Sequence, residues 1–452
     1  MVVSSERSNH TRVHGGAGSE GAGQRHPRAP LHGRKQDVSS KIDPHSATIE
    51  KFVENVRKLY NDGTGDFKAK FDAAIKGVQP RPQGTEDKVW KDWQGASIDT
   101  LCNFFEEWYA WGLKQGVHDG LDYIEKFSWI NYENDAGMDF VTTGAGRDVL
   151  ADFTNLQGLQ MDDPESGKSL VDSWIKELGP KKMADFRKGD WSTFNKFFIR
   201  ELAPGARPID GRLDPGVVVA PTDCVINMIV DELTDATRIP VKTVTMNVDQ
   251  LLNGSRYAKH FTHDREGKPG GGTAVSCILM PDTYHRYHAP VGGQVVEAHD
   301  NIGGVYYGMR DFPGLVNKGN VGYGYDYGMF ADFRRGYVVI RTPYVDHEGK
   351  PDGDGYVALV PVGLNSIGSV QFLEKFRNIT KNSAPVEIEK GEEIGCFQYG
   401  GSLNILLFEK GRFPALQLLM GQRIGVLEEP KRAKRLFENF RRPEPRRVPP
   451  TS

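Results

Sequence analysis

The sequence predicts an α+β protein, with a helical N-terminal domain followed by a predominantly antiparallel β domain of sandwich type. Two observations carry this. From Ser46 to about Gln160, apolar residues recur at three- and four-residue spacing, the period of a helix face. Beyond Pro204 and Gly205 the chain changes to short runs of β-branched and aromatic residues separated by Gly and Pro turns, the pattern of short paired strands. At 452 residues the chain has the length for two or three domains, or one large domain with extensions.

Residues 1–45 are rich in Gly, Ser, Arg, His and Pro and poor in large apolar side chains, so they read as a disordered tail that cannot offset its ordering entropy. Residues 46–165 form the predicted helical domain. Ile49, Phe52, Val53, Val56 and Tyr60 share one helix face, and Thr100 to Leu113 concentrates Phe104, Phe105, Trp108, Tyr109 and Trp111 in one helical segment. That aromatic stripe fits core packing better than a membrane or substrate face.

Residues 166–452 form the predicted second domain. Two further helical segments lie between Leu170 and Leu202, the second (WSTFNKFFIREL) with Ser192 as its N-cap. Strands are expected at Val217–Ala220, Cys224–Val230, Ala274–Met280, Val295–Ala298, Tyr337–Arg341, Tyr356–Val362 and Ile405–Phe408. A Gly/Tyr-rich interval from Gly303 to Gly328 has the length of a functional lid or a mobile surface loop. The basic stretch from Lys431 to Arg447 reads as a solvated helix and chain end.

A net charge of −3 gives no reason to expect nucleic acid as a partner. The four cysteines, Cys102, Cys224, Cys277 and Cys396, have neither zinc spacing nor a disulfide framework, which suits a reducing compartment. No apolar run reaches the roughly 18 residues of a membrane span, and the N-terminus lacks a secretory pattern. These features predict a soluble, cytoplasmic protein.

Three short segments hold residues with chemical potential. In Tyr399-Gly400-Gly401-Ser402-Leu403-Asn404, paired glycines deliver Ser402 into an apolar strand and leave the Gly401 carbonyl open to close approach. The segment also fits a plain turn entering a core strand. Pro281 to Pro290 carries His285 and His288, which point to opposite faces of an extended chain and lack a third ligand, so no metal site is expected. Val217 to Cys224 ends a valine run in a Pro-Thr-Asp corner. Asp223 there is either a turn former or, if it faces His288, the group that orients this imidazole toward the Ser402 hydroxyl.

FNKFFIRELAPGARPID, VVVAPTDC, YHRYHAPVGGQVVEA and YGGSLNILLFEKG, in this order, resemble the phosphatidylserine decarboxylase family, whose members make their own pyruvoyl cofactor. CNFFEEWY and GLDYIEKF resemble the soluble branch that includes fungal tryptophan decarboxylases. The resemblance implies that residues 166–452 are the catalytic domain, a carboxy-lyase cut by its own chemistry between Gly401 and Ser402 into β and α subunits. Asp223 would orient His288, His288 would act as base on Ser402, and Ser402 would attack the Gly401 carbonyl and become the pyruvoyl group. His285 would return a proton to the substrate carbon after carbon dioxide leaves.

The implied substrate bears an amine, held to the cofactor as a Schiff base. Phosphatidylserine, converted to phosphatidylethanolamine, is the family's general activity; a free aromatic L-amino acid such as tryptophan is the alternative. For the lipid substrate the helical aromatic face could touch the bilayer as a peripheral contact, and the resemblance implies association into dimers. Leu403, where the family commonly has Ser or Thr, and Pro-Thr-Asp-Cys in place of Pro-Ala-Asp-Gly, are departures from its pattern. Two readings compete. A lipoyl-type carrier would need a modifiable lysine at a hairpin tip, which is not evident, and a serine hydrolase would need a strand-to-helix GxSxG elbow, whereas Ser402 precedes a strand.

Overall fold

A computed structural model describes residues 48–63, 65–117, 122–241, 244–303, 334–346, 348–363, 370–398, 402–416, 420 and 424. The predicted tail, nearly all of the Gly/Tyr-rich interval, the basic stretch from Lys431 and the Tyr399-Gly400-Gly401 turn lie outside these residues.

Helices dominate the first part: α1 (Ile49–Asn61), α2 (Phe67–Lys76), α3 (Ile98–Gly112), α4 (Asp122–Ser128), α5 (Asp135–Thr142), α6 (Gly144–Asp162), α7 (Pro164–Met183) and α8 (Phe194–Phe198). Their starts are chemically marked. Thr48 caps α1, Ser97 and Thr100 close a capping box on α3, and Asp163 caps α7 ahead of Pro164. The aromatic stripe of α3 faces inward, with the Phe105 ring 4.6 Å from that of Phe153 and the Trp108 ring 5.0 Å from it. Core packing is therefore its role. No described helix is long and apolar enough to cross a membrane.

The second helical segment is shorter than predicted. Thr193, not Ser192, caps α8 by accepting from the Lys196 amide, while Ser192 turns toward Asp190. Beyond Phe198, Ile199 and Arg200 are held by residues 282–286, around the first histidine, described below.

The second part is β-rich: β1 (Val225–Leu233), β2 (Ile239–Val241), β3 (Val244–Met246), a short α9 (Val248–Leu251), β4 (Gly272–Leu279), β5 (Arg286–His288), β6 (Gly293–Ile302), β7 (Arg335–Val345), β8 (Pro351–Gly363), β9 (Val370–Phe372), β10 (Val386–Ile388), β11 (Glu393–Phe397) and β12 (Ser402–Phe408). A seven-stranded sheet runs β1-β4-β12-β8-β7-β6-β10, a three-stranded sheet β5-β11-β9, and β2 pairs with β3. Every pairing between these strands is antiparallel. The expected strand at 217–220 is absent; that segment runs extended and Val219 donates to the Pro290 carbonyl.

The middle of the large sheet is buried on both faces, whereas its edge strand β1 leaves Ile226 and Ile229 exposed. Leu403, Ile405 and Leu407 of β12 pack with the helices in one core, whereas Leu406 and Phe408 pack in a second core with Tyr287, Phe372, Ile394 and Phe397 of the small sheet. All seven residues of β12 are buried, which is why the strand reads as an unbroken apolar run apart from Ser402 and Asn404. A third cluster, built by Trp174, Phe194, Phe197 and Phe198, joins α7 and α8.

Candidate active site

Ser402 is the first residue of β12, paired with Leu279 of β4 on one side and Gly363 of β8 on the other. It is 4% exposed, and its Oγ has no hydrogen-bond partner among the described residues. Gly401 and the bond that joins it to Ser402 fall outside those residues.

His285 lies just before β5 and is completely buried. Its Nδ1 donates to the Thr283 carbonyl at 3.1 Å, which leaves a lone pair on Nε2, and Nε2 has no partner among the described residues. The ring stacks on Phe198, centroids 3.9 Å apart. Burial, reinforced by the nearby Arg200 cation, pushes its pKa down to about 3, so the imidazole is neutral at physiological pH.

Residues 194–202 build the wall behind it. Arg200 is 1% exposed and donates from Nη2 to the carbonyls of Asp282 (3.1 Å) and Thr283 (3.2 Å), while its guanidinium lies over the Phe186 and Phe197 rings. Burial lowers even this guanidinium to about 10. Arg286 donates to the Ile199 carbonyl and to Glu393. These bonds pin the loop between β4 and β5 to the end of α8, and so set the position of His285.

His288 faces the other way, as odd spacing along an extended chain requires. Its Nδ1 donates to the Gly391 carbonyl at 2.9 Å, and its Nε2 meets the Tyr284 hydroxyl at 2.8 Å. Burial lowers the His288 pKa and raises that of Tyr284. The Pro-Thr-Asp corner lies alongside, since Pro221 accepts from the His288 amide and the Thr222 hydroxyl donates to the Tyr284 carbonyl.

Asp223 does not make the expected hydrogen bond to His288. Its two oxygens accept from Arg207 at 2.8 and 2.7 Å, and Arg207 also reaches Asp185. The bidentate fork satisfies the carboxylate more completely than one imidazole N–H would, and Gly391 takes over the orienting bond. Asp223 still acts on His288 through its field, which favours the charged imidazole.

The structure thus brings Ser402 and His285 into the buried interior of the β-rich part and sets Asp223 beside His288 through the backbone of its corner. Arg200, Arg207, Tyr284 and Phe198 are the participants that sequence reasoning missed. Arg200 carried a faint signal, an arginine flanked by FFI on a segment already singled out. Among the described residues, no group of three or more His, Cys, Asp or Glu side chains could hold a metal ion.

Comparison with known proteins gives the family. A profile of the phosphatidylserine decarboxylase family matches residues 194–429, just over half of the chain and the part that contains all five site residues. The phosphatidylserine decarboxylase proenzyme of Anoxybacillus flavithermus is 31% identical over 252 residues, covering 54% of this chain and 80% of that protein. The proenzyme of Fusobacterium nucleatum is 29% identical over 59% of this chain and 75% of its own length. The rice phosphatidylserine decarboxylase proenzyme 2 is 28% identical over 62% of this chain but only 39% of that longer protein.

Proposed function

Because the chain belongs to the phosphatidylserine decarboxylase family, we propose that it is a self-processing carboxy-lyase that converts phosphatidylserine to phosphatidylethanolamine. The observation that carries this reading is the family match across the segments that hold Asp223, His285, His288 and Ser402.

In processing, the Ser402 hydroxyl attacks the Gly401 carbonyl and converts the amide into an ester. Loss of the α-proton of residue 402 then expels the Gly401 carboxylate, and water replaces the nitrogen, which leaves as ammonia. His288 serves as the base, with the Gly391 carbonyl fixing its tautomer and Asp223 favouring its charged form. For Nε2 to take a proton, the Tyr284 hydroxyl must yield its place or pass the proton on.

A group formed from Ser402 suits its surroundings: the serine is buried at a strand start and its Oγ is unpartnered. The pyruvoyl group would supply an electrophilic carbonyl that captures the substrate amine and accepts the electron pair released with carbon dioxide. His285, with Nε2 unpartnered among the described residues, is the group that hands a proton to the α-carbon, and its lowered pKa makes the protonated ring a ready donor. Burial suits this task, since water would otherwise compete as proton donor. A lipid substrate would bring the chain to a membrane surface, as a peripheral contact.

The test is release of carbon dioxide from carboxyl-labelled phosphatidylserine in mixed micelles, with free tryptophan in parallel. Release from the lipid alone is expected. A fully processed chain that releases none from the lipid would overturn the substrate.

A further inference from the structure

Asn404 is the one polar residue of β12 besides Ser402, and the strand's regularity fixes where it points. The register of β12 is unbroken against both neighbours, from Ser402 opposite Leu279 and Gly363 to Phe408 opposite Thr273 and Val357. Side chains alternate along a strand, so Ser402, Asn404, Leu406 and Phe408 share one face. Leu406 and Phe408 lie in the core between the two sheets. Asn404 therefore enters that layer beside Ser402.

The amide is fully buried, 0% exposed, and neither Nδ2 nor Oδ1 has a hydrogen-bond partner among the described residues. Directly across the strands are Cys277 and Pro361, with Val275 and Leu279 beside them in the same layer. Burying both ends of an amide unmet costs folding free energy that a leucine of similar volume would not. Such a side chain fits a partner that arrives with the substrate. Two residues along a strand is roughly 7 Å, so a side chain at 404 can reach a group attached to the carbon reacting at residue 402.

We propose that Asn404 reads the amino-acid head of the substrate, with Nδ2 donating to its carboxylate and Oδ1 accepting from its amine. The inference rests on the decarboxylase reading above. The head offers one strong acceptor and one strong donor on two groups attached to the same carbon, matching the two ends of the amide. A neutral amide also suits a carboxylate that must leave. A buried lysine or arginine would bind the carboxylate more tightly than the transition state in which its charge is dispersing, whereas an amide orients it with less ground-state stabilisation.

Asn404→Leu and Asn404→Asp test this, read by fragment masses, thermal melting and the separate KM and kcat for phosphatidylserine in mixed micelles. N404L is expected to be processed like the parent, to melt at a higher temperature, and to show KM raised about tenfold or more. N404D is expected to raise KM further, because two carboxylates would face each other. An N404L chain that melts lower with unchanged KM would make Asn404 a structural residue and overturn the proposal, as would failure of N404L to process. If the processed parent itself releases no carbon dioxide from phosphatidylserine, the substrate reading fails first and takes this inference with it.

Discussion

The His285 imidazole lies 3.9 Å from the Phe198 ring, centroid to centroid, with the planes 29° apart. Phe198 belongs to the α7–α8 cluster, so a helical element covers the histidine of the β-rich part. Phe198→Leu uncovers one side of the imidazole. We expect the His285 pKa to climb from about 3 toward its ordinary 6.5, with a fall in turnover, followed by NMR titration of the ring protons. A value that stays near 3 would show that Phe198 is not what keeps water away.

The same depression makes stability depend on pH. Between about 3 and 6.5 the unfolded chain protonates this histidine and the native chain does not. The contribution is complete above the unfolded value and is lost as pH falls from there toward about 3, at up to about 1.4 kcal/mol per pH unit. His288, also lowered, acts with the same sign. Urea denaturation should therefore give a shallower pH dependence for His285→Gln than for the parent in this window. Parallel slopes would contradict the assignment.

Arg200 holds the Asp282 and Thr283 carbonyls, and Thr283 in turn holds Nδ1 of His285. Arg200→Met leaves those carbonyls unmet and should cost roughly 2 to 4 kcal/mol of stability. It also removes a cation that disfavours protonated His285, so the His285 pKa should rise even as the protein weakens. Arg200→Lys lacks the planar guanidinium that lies over Phe186 and Phe197 and should restore little of the stability. Equal stability of the parent and R200M, measured by denaturant titration, would count against the pinning role.

Asp223 meets Arg207 through both oxygens, and the corner that carries it accepts the His288 amide. Asp223→Asn removes the charge that favours protonated His288, so the chain should remain largely uncleaved. Arg207→Gln should slow cleavage less, because the carboxylate survives without its anchor. Cleaved fraction against time on denaturing gels separates the two. Cleavage of D223N at the parent's rate would remove Asp223 from the processing machinery.

Much of this architecture was legible in residue patterns. The apolar run after Ser402 forms an interior strand of the large sheet, and the aromatic stripe of α3 packs inward, because burial on both faces and helical period leave direct marks on sequence. Partner choice leaves no such mark. Asp223 is held by Arg207, sixteen positions earlier, and a geometry of that kind is set by how the corner packs. Arg200 follows the end of α8 at Phe198, and its burial against the Asp282 and Thr283 carbonyls is a long-range packing contact that leaves no pattern in the sequence. The extended segment at 217–220 has strand-forming valines, but its neighbour supplies one hydrogen bond through Pro290 and no ladder.

The intact mass of freshly purified chain under denaturing conditions tests the central claim most directly. Two fragments that meet between Gly401 and Ser402, the smaller beginning with a pyruvoyl group in place of serine, are the predicted result. A single full-length chain that stays whole on incubation would contradict self-processing and remove the basis for the roles given to Asp223, His285, His288 and Ser402.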